Sequence, residues 1–364
     1  MKNFIKGSIL FCSLLLVSVS HAQDVVGYIY RSDSILHLTN DDIIQQNSSM
    51  KSHIKSITII APQAYQVNEK GTVWGTVDPL MMNLAKRNHV KVMPLLTNVD
   101  FDSARTHAFL TNDVSELRAI DMLLEVCKTN HFVGVQIDFE HILISDRNHF
   151  SHFYSLVSDA LHKNGFEVSV AIFPRVSDVL PGSNRSRSSL EFWSGGYDYA
   201  ALGKSSDFVT LMAYAQHGSG TTPGSACEPA WAEAIVKYAI NYIPTNKISL
   251  GLPVYSAYWY TGYGHTETHV TETDLTYPQL KYILEKFHVT LQWDPIKKLS
   301  YAVFVNNNLN EFIFAEDVPT FKIKVDLVNK YHLRGTSLWH LGVEDPNIWA
   351  LFKKTNSAAS KKSI

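Results

Sequence analysis

The stretch His131-Phe132-Val133-Gly134-Val135-Gln136-Ile137-Asp138-Phe139-Glu140 decides the reading of this chain. With a period of two, Val135, Ile137 and Phe139 fall on one face and Gln136, Asp138 and Glu140 on the other, because side chains alternate across a strand. Asp138 and Glu140 then stand roughly 6.5 Å apart along the strand. An apolar run of this kind belongs to a buried parallel strand, where two carboxylates on the inner face are costly to desolvate. A pair within reach of one substrate divides its roles. One member stays ionised while the other, raised by burial and like charge, keeps a proton to donate. From spacing alone, an amphipathic edge strand or a structural ion-pair site accounts for the pattern equally well.

Outward from that stretch, short apolar strands alternate with longer amphipathic helices. Strands are expected at Val25–Tyr30, Ile57–Ala61, Lys91–Leu96, Gly134–Glu140, Glu167–Phe173, Asp207–Tyr214, Lys247–Tyr255 and Gly335–Leu341. Helices are expected at Pro79–Arg87, Val114–Lys128, His149–Asn164, Trp231–Tyr242 and Phe321–Tyr331. Eight strands alternating with helices predict an α/β fold, a (β/α)8 TIM barrel, with an open doubly wound sheet as the less favoured arrangement. No Gly-x-Gly-x-x-Gly turn follows the first strand, which counts against a nucleotide-binding sheet. The connection at residues 257–317 is too long for a plain loop and holds strand-like pieces (Leu291–Trp293, Ala302–Val305, Glu311–Ala315) and a helix-like piece (Tyr277–Phe287). A small α+β insertion between the seventh and eighth strands is expected there, deepening the groove above the strand ends.

Composition narrows the partners. The chain has 364 residues, 45% of them hydrophobic and 18% charged, enough for a large core and against global disorder. A formal net charge of −2 argues against nucleic acid. Aromatics at 12% suit a sugar-binding surface as well as an ordinary core. Residues 1–22 read as a signal peptide: Lys2 and Lys6 open it, Ile9–Val19 is apolar, and Ser20-His21-Ala22 ends it. The chain is therefore expected to be secreted or periplasmic, with no membrane span, because no later stretch approaches about 18 apolar residues. Cys12 would leave with that segment, and Cys127 and Cys227 are expected to stay unpaired. The barrel should occupy residues 23–352, followed by a disordered tail at 353–364 rich in Ser and Lys. Among 16 histidines, His149-x-x-His152 has helical spacing but no accompanying ligand set, so no metal is implied.

The central stretch resembles the Asp-Gly-x-Asp-x-Asp-x-Glu motif of glycoside hydrolase family 18, the chitinase-type family, with Gly134, Asp138 and Glu140 matching. Other landmarks of that family follow in order: Tyr197-Asp198-Tyr199-Ala200-Ala201-Leu202, Leu211-Met212-Ala213-Tyr214, Pro223-Gly224, Trp231 and Lys247 to Tyr255. Trp293-Asp294, Phe314-Ala315-Glu316-Asp317 and Ser337 to Asp345 close the series, so the resemblance covers nearly the whole mature chain. Val133 and Gln136 replace the motif's first acids, Ala215 stands where the family has Asp, and Pro94 to Asn98 lacks its Ser-x-Gly-Gly. The amide at Gln136 and a third strand without those glycines resemble the branch that includes spore-cortex and peptidoglycan N-acetylglucosaminidases.

The resemblance implies substrate-assisted retaining hydrolysis, an exception to the two-carboxylate scheme. On it, Glu140 is the acid and base, Asp138 steadies the sugar's 2-acetamido N–H, and Tyr214 donates to the acetamido carbonyl oxygen. Trp339 would floor the cleavage subsite, with Gln136, Met212, Tyr255 and Gln216 as further substrate contacts. Gln136, pointing inward beside Asp138, is expected to orient that carboxylate. Tyr258, Trp259 and Tyr260 either extend the groove or anchor the insertion. The implied partner is a glycan containing N-acetylglucosamine, with no cofactor and a monomeric chain. The alternatives are a lectin-like protein on the same barrel and an unrelated barrel hydrolase using Asp138 and Glu140 as nucleophile and acid.

Overall fold

A computed structural model describes residues 23–30, 40–178, 190–218, 221–261 and 270–352. The expected export segment and the polar tail lie outside these residues. The described strands are β1 (Asp24–Ile29), β2 (Ile59–Val67), β3 (Val73–Gly75), β4 (Lys91–Val92), β5 (Leu95–Asn98), β6 (Gly134–Asp138), β7 (Glu167–Ile172) and β8 (Phe208–Met212). They continue with β9 (Ile248–Pro253), β10 (Ser256–Thr261), β11 (Val270–Leu275), β12 (Gln292–Asp294), β13 (Leu299–Asn306), β14 (Leu309–Ala315) and β15 (Gly335–Trp339). Eight of them, β1, β2, β5, β6, β7, β8, β9 and β15, pair in parallel, and β1 bonds to both β2 and β15. The sheet has no free edge along this circuit: it is a closed (β/α)8 barrel, and the open-sheet alternative is excluded.

Local chemistry sets the elements. The helix Pro79–Arg87 starts where Asp78 accepts from the Leu80 N–H and Pro79 supplies a helical φ. The helix Asp113–Asn130 is capped by Asn112, which accepts from Val114 and Ser115, and ends at His131 in the left-handed region. That reversal delivers the chain into β6. Gly134 is required at its start, since a Cβ there would lie 1.7 Å from the Glu167 carbonyl oxygen of β7. The predicted third strand is broken: Pro94 has no N–H to give the ladder, and β4 and β5 flank it. The Pro94 carbonyl still accepts from Gln136 N at 3.0 Å, which holds β5 against β6.

The period-two reading of β6 holds. Val135, Ile137 and Phe139 point out into the helix layer, where Phe139 stacks on Phe150 and Phe153 with both ring centroids 5.8 Å away. Gln136 and Asp138 point into the barrel, whose interior holds Val26, Tyr28, Ile59, Met93, Leu95 and Phe208. The helix Asn40–His53 and the short helices Ser103–Leu110 and Tyr199–Ser205 were not foreseen. The last two are only about two turns each and lack a full amphipathic repeat.

Between β9 and β15 the chain builds an antiparallel sheet in the order β11-β10-β14-β13-β12, with the helix Tyr277–Lys286 packed against it. That helix opens with a capping box between Thr276 and Gln279. The insertion is therefore α+β, and it begins directly after β9 with two strands, β10 and β11, that the sequence reading did not assign. Cys127 and Cys227 are both free and buried.

Candidate active site

Asp138 ends β6, and Glu140 follows two residues later at the same, C-terminal, mouth of the barrel. Side-chain amide chemistry fixes where Glu140 sits. Asn98, the last residue of β5, accepts from the Glu140 N–H at 2.9 Å and donates from Nδ2 to the Glu140 carbonyl at 3.0 Å. The same Nδ2 reaches Thr106 Oγ1 at 2.7 Å. On the other side, the buried Tyr197 hydroxyl donates to the Phe139 carbonyl at 2.6 Å. The backbone on both sides of the Phe139–Glu140 peptide is thus held by side chains from neighbouring strands and loops.

Electrostatics couples the two acids. Burial pushes the Asp138 carboxyl up to about 7. Glu140 is raised well above the ordinary carboxylate range, first by burial and then by the negative charge of Asp138. With both carboxyls raised by burial, and Glu140 also by the charge of Asp138, the two titrate as a unit that holds one proton over part of the pH range. Asp138 Oδ1 is buried with no hydrogen-bond partner among the described residues. A buried acceptor left open at a groove is available to an N–H brought in by a ligand.

Aromatic rings wall the same mouth. Tyr214, just past β8, stacks on Trp339 at the end of β15, with centroids 5.9 Å apart and an interplanar angle of 17°. Trp339 also meets Tyr28 and Tyr30 edge-on at 5.4 and 5.7 Å. Tyr214 is raised by burial and, more weakly, by Tyr28, Asp138, Glu140 and Tyr255, which puts its ring among the acids. A donor hydroxyl, a partnerless carboxylate oxygen, a proton-bearing carboxyl and a flat indole therefore converge on one opening.

Other residues expected at the site lie elsewhere or have different work. Gln136 is fully buried: its Oε1 accepts from Tyr28 OH at 2.6 Å, and its Nε2 donates to Ser169 at 2.8 Å and Thr210 at 3.3 Å. It neither touches substrate space nor orients Asp138, because its amide sits one layer deeper in a polar network. Gln216 accepts the Glu228 N–H at 2.8 Å and fastens the loop after β8. Met212 is buried at the end of β8, beneath Tyr214 in sequence, and Tyr255 is buried after β9. Tyr258 and Trp259 anchor the insertion: Tyr258 OH donates to Glu311, and Trp259 Nε1 donates to Gly224 O at 2.8 Å.

Three features escaped the sequence reading. Asn98 and Tyr197 act through backbone atoms of residues 42 and 58 positions away, a relation no local pattern carries. Beside Glu140, His141 stacks on Phe192 at 4.6 Å and meets Trp193 edge-on at 4.5 Å. Phe192 and Trp193 are each 40% exposed, a second aromatic surface next to the acid. Its signal was available, since two adjacent large aromatics in a connecting loop are rarely left open without use.

The comparisons agree with this architecture. The family model described as glycosyl hydrolases family 18 matches residues 54–344. Over 352 residues the chain is 25% identical to the uncharacterized glycosylase YvbX of Bacillus subtilis, covering 93% of this chain and 98% of that protein. The Bacillus megaterium spore cortex-lytic enzyme SleL superposes with a TM-score of 0.78 at 22% identity, over 91% of this chain and 73% of that one. A chitinase from Chromobacterium violaceum gives 0.77 at 23% identity, over 91% and 98%. At those identities, the two solved structures speak for the fold.

Proposed function

This chain belongs to glycosyl hydrolases family 18, and from that premise we propose that it is an exported retaining glycosidase acting on β-linked N-acetylglucosamine glycans, either chitin oligosaccharides or peptidoglycan. The observation that carries the reading is the placement of two buried acids, Asp138 and Glu140, at one mouth of the barrel, with Asp138 Oδ1 unpartnered among the described residues. Glu140 gives its proton to the glycosidic oxygen as the bond from that oxygen to the anomeric carbon breaks. The substrate's own 2-acetamido carbonyl oxygen bonds to the anomeric carbon, forming an oxazolinium ion. Asp138, ionised, accepts the acetamido N–H and offsets the growing positive charge. Tyr214 donates to the acetamido oxygen and Trp339 lies under the sugar face.

Water then attacks the anomeric carbon from the side the leaving group vacated, and its proton passes to the Glu140 carboxylate. The oxazolinium ring opens to acetamide and the acid is restored, with configuration retained. Gln136 takes no part in proton transfer, because an amide has no proton to exchange at this pH. Export is supported by the basic, apolar and small-residue order of residues 1–22.

Product profiling on defined N-acetylchito-oligosaccharides beside purified peptidoglycan tests the reading, with Glu140→Gln as control. Hydrolysis by the native chain, lost by at least about 100-fold in the variant while glycan binding persists, is expected. Hydrolysis by Glu140→Gln at the native rate would remove the acid assignment. Binding by the native chain without product from any glycan would favour a lectin-like role.

A further inference from the structure

On β11 the sequence Thr271-Glu272-Thr273-Asp274 alternates hydroxyl and carboxyl side chains, so the two acids share one face of the strand. Antiparallel register sets Glu272 opposite Trp259 and Asp274 opposite Ala257 of β10, and such partners lie on the same face. Trp259 and Ala257 are buried, and the Trp259 indole bonds to Gly224 on the loop that follows barrel strand β8. The opposite face carries Tyr258, stacked on Phe304 in the insertion's own core. Glu272 and Asp274 therefore face the barrel mouth. Glu272 is half-buried, and Asp274 keeps part of its surface exposed.

The two carboxyls hydrogen-bond to each other, and no cation is among the groups that shift either of them. Burial, then the Glu272 charge, pushes Asp274 up to about 8. Near neutral pH the pair thus shares one proton and retains one negative charge. Tyr255 supplies an independent observation. It is 8% exposed, and its hydroxyl has no hydrogen-bond partner among the described residues. After burial, the charges of Asp274 and Glu272 raise it most, ahead of Cys227 and of Glu316, which pairs with Lys324. Tyr214 in turn feels Tyr255. Tyr255 therefore lies within electrostatic reach of the insertion's acids and of Tyr214 at the barrel mouth.

We infer that Glu272, Asp274 and the Tyr255 hydroxyl form a charge-selective subsite of the groove, which takes a glycan unit bearing a protonated amino group and disfavours one bearing a carboxylate. This rests on the reading of the barrel mouth as a glycan site and names the substituent that site prefers. An ammonium donates up to three hydrogen bonds, and the two carboxyls and the phenol offer oxygens to accept them. A carboxylate substituent meets the residual negative charge and finds no cation. The preferred glycan is N-acetylglucosamine polymer that is partly de-N-acetylated, with glucosamine in this subsite and an intact acetamido group at the bond cleaved.

Calorimetry on the Glu140→Gln variant at pH 6 tests this without turnover. The probes are N-acetylchitopentaose, the same pentamer with one unit de-N-acetylated at each position in turn, and a peptidoglycan strand with carboxylated units. One amine-bearing pentamer should bind about fivefold tighter than the neutral one, and the carboxylated strand more weakly. Adding Glu272→Gln and Asp274→Asn should bring the amine-to-neutral ratio to about one. A ratio that survives the double substitution, or no preference in the parent, overturns this inference alone if the native chain hydrolyses N-acetylchito-oligosaccharides. Failure to bind any of the glycans overturns it together with the proposed function.

Discussion

Replacing Asn98 by Ala removes both side-chain bonds to the Glu140 backbone, at 2.9 and 3.0 Å, without touching either acid. Each backbone group left without a partner costs about 1–3 kcal/mol. Glu140 is half-buried, so water replaces part of the loss, and about 2–4 kcal/mol in total is expected. For a chain of this size, that lowers the melting temperature by about 3–6 °C. The kinetic effect is separate. Glu140 must meet the glycosidic oxygen within a narrow geometry, and a displacement near 1 Å costs about 10- to 100-fold in kcat. KM should stay within about twofold, because the loss falls on the transition state.

The assay is steady-state hydrolysis of an N-acetylchito-oligosaccharide, run well below the variant's melting midpoint. Thr106→Val is the control. It removes a partner of the same Asn98 nitrogen at 2.7 Å and leaves both bonds to Glu140 in place. It should cost about 1 kcal/mol of stability with kcat within about threefold. A folded Asn98→Ala protein with native kcat would refute the claim that this amide positions the acid.

Asp138→Asn should lower kcat by about 100- to 1,000-fold, since a charge is lost beside the developing cation. Its pH profile is equally informative. In the native chain activity rises as pH increases through about 7, where Asp138 ionises, and falls at higher pH as Glu140 loses its proton. In the Asn variant the acid limb disappears and the basic limb moves to lower pH, because one cause of the raised Glu140 is gone. Trp339→Ala should raise KM by about tenfold through lost stacking, whereas Tyr214→Phe should act mainly on kcat; initial-rate kinetics separate the two. Tyr197→Phe leaves the Phe139 carbonyl without its 2.6 Å partner and should cost about 1–2 kcal/mol in denaturant unfolding.

The barrel was legible because each of its strands carries an apolar run and most of its longer helices a repeat long enough to read; the polar helix Asn40–His53 was missed. The Pro79–Arg87 helix matched to the residue, since Asp78 and Pro79 mark its start chemically. Most strand ends were overread by one or two residues, as at Glu140 and Tyr214, because residues at a barrel mouth stay apolar or functional after the ladder stops, whereas β2 runs on to Val67, past its expected end at Ala61. The strands β10 and β11 were missed for the opposite reason. Ser256–Thr261 is aromatic on both faces, one face packing on the barrel loop and the other on the insertion core, so no alternation shows.

Within the site, spacing placed Asp138 and Glu140 on one face, but only the surrounding family landmarks singled them out, together with Tyr214 and Trp339. Gln136 was misread because strand alternation tells inward from outward but not depth. Two residues before Asp138, the same face is already in the barrel's interior, where the amide meets Tyr28, Ser169 and Thr210. The supporting bonds of Asn98 and Tyr197 join side chains to distant backbone, and only the closed circuit of strands brings them together.

The account turns on the substrate's acetamido group acting as nucleophile beside a protonated Glu140. The most direct measurement compares the native chain's hydrolysis of an aryl β-N-acetylglucosaminide chain with that of the matching β-glucoside, identical except for the 2-acetamido group. A rate on the glucoside at least about 1,000-fold lower is predicted, since the intramolecular nucleophile is missing. Comparable rates on the two would mean that a protein carboxylate makes the attack, and the mechanism described above would not hold.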